Sequence, residues 1–146
     1  MAGENNQIQQ DQYTFLIYSY HTWGSFGQHE KVMKFLIDID NKSQKPLWEV
    51  VVNVKWSNND NRKNKHREAY VKEEDIMNLK GKILKEVRDY QSSSKKEISV
   101  KYYIISDNGM QEIKAETGVK INGKYYDIIE FNGKKIMVNK DEIIVQ

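Results

Sequence analysis

Three Asn-Gly pairs, at residues 108–109, 122–123 and 132–133, stand between runs of β-branched and aromatic residues in this 146-residue chain. A type I′ turn needs positive φ at both central residues, and Asn-Gly meets that demand at little steric cost. Each pair therefore predicts a tight hairpin, and together they predict an antiparallel meander through "EISVKYYIIS", "MQEIKAE" and "VKINGKYYDIIEFNGKKIMVNKDEIIV". The echo between "INGKYY" and "FNGKKI" reads as repeated turn chemistry rather than a duplicated binding motif.

The first half also reads as strands. "YTFLIYSYHT" is an aromatic, β-branched run, followed by "WGSFGQHE", a loop bracketed by Gly24 and Gly27. "KVMKFLIDID" alternates strictly, with Met33, Phe35, Ile37 and Ile39 on a core face and Lys34, Asp38 and Asp40 on a wet one. "LWEVVVNVKW" alternates likewise, with Trp48, Val50, Val52, Val54 and Trp56 facing the core. The polar, basic "WSNNDNRKNKHRE" then reads as a solvated loop. In "EEDIMNLKGKILKEVRDY" the period changes: Ile76, Leu79, Ile83, Val87 and Tyr90 recur at three- and four-residue steps, predicting one amphipathic helix. Glu73, Glu74 and Asp75 complement its positive dipole end.

The expected fold is α+β and predominantly β: an antiparallel small barrel or strongly curved sheet over residues 13–146, in the order β-β-β-α-β-β plus a C-terminal β meander. That order resembles the oligonucleotide-binding barrel, in which a helix follows the third strand. Residues 1–12, rich in Gln and Asn, have little to bury and are expected to form a flexible tail.

Composition narrows the function. The absence of cysteine excludes disulfides, thiolate metal sites and cysteine nucleophiles. A net charge of +2 gives no global basic field, so nucleic-acid binding would have to be local. No apolar run approaches the roughly 18 residues of a membrane span, and the opening residues lack a secretory pattern, so a soluble, cytoplasmic protein is expected, with no membrane partner.

Two groups of residues suit a binding surface. Arg62, Lys63, Lys65 and Arg67 are cations with asparagine and histidine between them, suited to phosphate. Tyr18, Tyr20, Trp23 and Phe26 cluster along the first strand and its loop, and bases stack on such rings. The adjacent pairs Tyr102, Tyr103 and Tyr125, Tyr126 should each send one ring outward. The function expected is non-catalytic recognition of single-stranded nucleic acid or a nucleotide, without cofactor or metal. The alternative is a protein-interaction module, such as a small subunit of an assembly or an inhibitor from a mobile element, using the same aromatics as anchors.

An enzyme is the third reading. Asp38, Asp40 and Glu49 together suit a metal-dependent hydrolase, although two aspartates at a strand end also suit a solvated terminus. His21 and His29, with Ser25 between them, lack an acid to orient a base, and His66 lies in the basic run. "GSFG" has neither the length nor the lysine of a phosphate-binding loop.

Overall fold

The computed structural model describes residues 13–24, 27–61 and 63–146. The first half holds β1 (Phe15–Trp23), β2 (Gln28–Asp38), β3 (Ser43–Pro46), a 3-10 turn (Leu47–Glu49), β4 (Val54–Asp60) and β5 (Lys65–Val71). One short helix, α1 (Glu73–Met77), precedes β6 (Ile83–Gln91), β7 (Lys96–Ser106) and β8 (Gly109–Ile113). The chain ends with β9 (Ala115–Ile121), β10 (Lys124–Phe131), β11 (Lys134–Val138) and β12 (Ile143–Val145).

Two antiparallel sheets result. The larger has the order β4-β5-β1-β2-β6-β7-β8, with β3 also paired to β2, and the smaller has the order β12-β11-β10-β9. No closed barrel is found among the described residues, and five strands rather than three precede the helix. The predicted turns at 122–123 and 132–133 form as expected, with φ of +50° and +82° in the first and +51° and +71° in the second. At the third pair only Gly109 is left-handed (φ +101°), and Asp107 and Asn108 form the turn that closes Ser106 on Gly109.

The long amphipathic helix is corrected to a single α-helical turn followed by a strand. Gly81 takes φ +88°, outside the helical region, and donates its N–H to the carbonyl of Ile105 at 2.8 Å. From Ile83 onward β2 and β7 flank the chain on either side, so cross-strand pairing overrides the helical spacing. Ile83 and Leu84, adjacent in sequence, are both fully buried because each face of the sheet has its own core.

The expected strand over residues 47–56 is also corrected. Leu47–Glu49 forms a 3-10 turn after Pro46, and pairing starts only at Val54. Trp56, expected in the core, is 41% exposed. The solvated loop is in fact a hairpin: Val54–Asp60 pairs with Lys65–Val71 in unbroken register. The Asn61 side-chain oxygen accepts the N–H groups of Lys63 (3.1 Å) and Asn64 (2.8 Å), an Asx turn that tightens its tip.

One core lies where the 3-10 turn and α1 cover the large sheet, gathering Leu47, Ile76, Leu36 and Leu84. The other lies between the sheets, where Ile37, Ile83 and Tyr102 meet Ile129, Ile136 and Ile143. β2 is thus covered on both faces. The face expected to be wet instead buries Val32, Lys34 and Leu36, with the Lys34 ammonium 3.4 Å from Glu86 and donating to the carbonyl of Leu16. Burial pulls the Lys34 pKa down against the opposing pull of Glu86.

Candidate nucleic-acid interface

Side chains directly opposite in a sheet share a face, so register shows which residues the fold assembles. Across β4-β5-β1-β2-β6-β7 one row reads Asn58, Arg67, Tyr20, Lys31, Asp89 and Ile98. The row toward the hairpin tip reads Asp60, Lys65, Thr22, His29, Gln91 and Lys96, and the row on the other side begins Trp56, Ala69, Tyr18 and Met33. Strict alternation along β2 places Lys31 and Met33 on the face where Ile37 is buried by the small sheet. Along β2 the small sheet covers the Ile37 end of that face; on β5 and β1 Ala69 and Tyr18 of the same rows pack against the helix-side core, and Asn58, Lys65, Arg67, Lys96 and Ile98 are exposed.

The contacts agree with the register. The Arg67 guanidinium lies 4.2 Å from the centroid of the Trp56 ring, a cation–π stack. Tyr18 sits 5.8 Å from Trp56 and edge-on to Trp48 at 5.7 Å, half-buried at the margin of the helix-side core. The Tyr20 ring is 6.2 Å from His29. Four cations, Lys31, Lys65, Arg67 and Lys96, share these rows with two carboxylates, Asp60 and Asp89. Asp89 Oδ1 is buried without a hydrogen-bond partner.

The opposite face differs. Its outer row reads Asn59, His66, His21, Glu30, Tyr90 and Glu97, and the next reads Ser57, Glu68, Ser19, Val32, Arg88 and Ser99. His66 Nε2 lies 2.6 Å from Glu68 Oε1, and the other oxygen of Glu68 accepts the Tyr70 hydroxyl. That bond, with some burial and the Glu68 charge, pushes the Tyr70 pKa up to about 12.

Of the residues expected to bind, the fold brings together Tyr18, Tyr20, Lys65 and Arg67. Trp23 points to the opposite face, 4.8 Å from His21 and 6.2 Å from Tyr90. Lys63 sits in the hairpin turn, and Phe26 and Arg62 lie outside the described residues. Trp56, Lys31, His29 and Lys96 join the face without having been singled out. The alternation of Lys31 with Met33 was a readable signal, but the Trp56–Arg67 pairing needed the hairpin to be known.

Among the later tyrosines, Tyr125 is 63% exposed with the Lys120 ammonium 5.8 Å from its centroid, and buried Tyr126 donates to Glu142 at 2.6 Å. Tyr102 is fully buried and donates to Asp127 at 2.6 Å, while Tyr103 packs against the core on the other face. Neither ring of that pair is exposed, because layers cover the strand on both sides. Burial first, then the bond to Asp127, drives the Tyr102 pKa upward.

Of the carboxylates in the enzyme reading, Asp38 is engaged elsewhere. Asp38 accepts from Lys82 Nζ at 3.1 Å and from the side chain of Asn41 at 2.7 Å. Its burial works to raise the pKa, but these bonds outweigh it and hold the carboxyl below its usual range. Glu49 lies on the 3-10 turn, and among the described residues no three histidine or carboxylate side chains gather to hold a metal ion. Among those residues, too, no helix is long and apolar enough to cross a membrane. Comparisons with protein-family models, with curated proteins and with solved structures return no match.

Proposed function

We propose that the chain binds single-stranded nucleic acid along the basic, aromatic face of the large sheet, with bases stacking on Trp56 and Tyr20 and phosphates meeting Lys31, Lys65, Arg67 and Lys96. The observation that carries this reading is the row Arg67–Tyr20–Lys31, flanked by the Trp56 stack: ring and cation alternate across neighbouring strands on a surface open to solvent. Strands about 4.8 Å apart make the six-strand row about 24 Å wide, room for several nucleotides. The interface is a sheet face; the basic run contributes as a paired strand.

Fluorescence anisotropy of labelled oligonucleotides over a salt series tests the proposal. Binding should weaken with a log–log slope of about −0.7 per neutralised phosphate, or roughly −3 for four contacts. No binding at the lowest salt would sink it. A protein partner is the second reading, favoured by Ile98, which is 60% exposed on the same face; capture by such a partner would persist at high salt.

A further inference from the structure

We propose that His21 and His66 form a cross-strand chelate for a transition-metal ion of the Zn²⁺, Ni²⁺ or Cu²⁺ class, on the face opposite the basic one. The two residues are register partners on β1 and β5, with ring centroids 4.8 Å apart and planes inclined by 41°. Zn–N bonds of about 2.05 Å set two tetrahedral ligands about 3.3 Å apart. Ring nitrogens stand off their centroids, so modest side-chain rotation brings one from each imidazole to that separation. Imidazole is a favoured donor for all three ions.

A second observation gives the pair the character of a metal site. His66 directs Nε2 at Glu68 Oε1 at 2.6 Å, and Glu68 is held in turn by the Tyr70 hydroxyl. A carboxylate bonded to one imidazole nitrogen fixes the tautomer and leaves a lone pair on the other, the arrangement that supports ligating histidines. In that tautomer the lone pair of His66 is on Nδ1. On the other side His21 is the register partner of Glu30, so a carboxylate stands in the same row as the two imidazoles and favours a cation. With two protein donors, water completes the coordination shell. His21 and His66 are both partly exposed, so an ion can reach them from solvent.

The experiment uses the full chain without an affinity tag. Addition of ZnCl₂ in large excess should raise the melting temperature by about 4 °C, through preferential binding to the folded state. CuCl₂ should quench tryptophan fluorescence, and Trp23→Phe should remove most of that quenching because Trp23 lies 4.8 Å from His21. His21→Asn and His66→Asn should each abolish the Zn²⁺ shift, while His29→Asn, on the other face, should leave it intact. Diethyl pyrocarbonate labelling of the unmutated chain, read by mass spectrometry, needs no variant to fold: Zn²⁺ should protect His21 and His66 but not His29. Equal labelling with and without Zn²⁺, or a melting shift that survives when His21→Asn and His66→Asn are combined, overturns the proposal.

Discussion

The outer half of the large sheet has two faces made by the same strands, and they carry opposite chemistry. One presents Lys31, Lys65, Arg67 and Lys96 against Asp60 and Asp89, beside Trp56 and Tyr20; the other presents Glu30, Glu68 and Glu97 against Arg88, beside His21, His66 and Trp23. Neighbours in sequence supply both: Glu30 and Lys31, His66 and Arg67, Lys96 and Glu97 are adjacent pairs. A strand sends successive residues to opposite sides, so it sorts charge by parity. A whole-chain charge of +2 therefore conceals a sheet with two electrostatic sides.

The largest effect is expected beneath these faces, where Lys34 and Glu86 are both buried on the His21 side. Glu86→Leu leaves the ammonium without its counter-charge and should cost about 3–5 kcal/mol in urea unfolding, whereas Lys34→Met with Glu86→Leu should recover most of that loss. If the double variant is no more stable than Glu86→Leu, the two charges do not act as a pair.

Next in size is the charge contrast itself. Joint substitution of Lys31, Lys65 and Arg67 by alanine should weaken oligonucleotide binding at physiological salt by about a hundredfold. Glu30→Gln with Glu97→Gln should leave binding unchanged or slightly tighter. Equal losses in both would erase the distinction between the faces. The stacking rings sharpen it further: Trp56→Leu and Tyr20→Leu should each cost about 1–3 kcal/mol of binding with the salt slope preserved, and Trp23→Leu should cost little.

The smallest effect is in the alkaline range. With Tyr70 held to about pKa 12 against an ordinary value of 10, the folded chain keeps a proton that the unfolded chain releases first. The stability this proton contributes is present below pH 10 and is lost as pH rises toward 12. Absorbance at 295 nm should show several late-ionising tyrosines, Tyr102 among them, of which Glu68→Gln returns one toward 10.

The sequence made the hairpin ends legible because Asn122–Gly123 and Asn132–Gly133 require a backbone that few dipeptides adopt. It made β1 and β2 legible through aromatic content and alternation. The helix over residues 73–90 was misread because Ile76, Leu79, Ile83 and Val87 fit a helical stripe while also fitting a turn followed by a strand buried on both sides. Only the flanking strands β2 and β7, distant in sequence, decide between them. The site was legible as a composition, tyrosines with lysines and arginines, but not as a surface. Tyr20 meets Arg67 through a pairing 47 positions away, and nothing local in either strand specifies that partner. The same holds for His21, whose neighbour is His66 rather than His29.

The irregularity in β1 between Leu16 and Tyr18 governs all of these pairings. Leu16 faces Tyr70 and Tyr18 faces Ala69, so β1 spends one extra residue there. Deleting Ile17 would remove that bulge and leave the later pairings in place, because Leu16–Tyr70 and Tyr18–Ala69 would then be consecutive pairs. One residue inserted after Tyr18 would instead act on the sheet as a frameshift acts on a message: every later residue of β1 would move on by one step, Tyr20 would meet His66 instead of Arg67, and His21 would lose its histidine partner. Composition, net charge and strand content would hardly change, yet the two surfaces would be scrambled. Within β1, tolerance to insertion and deletion is thus set by whether the change keeps the register, a constraint that substitution alone would never reveal.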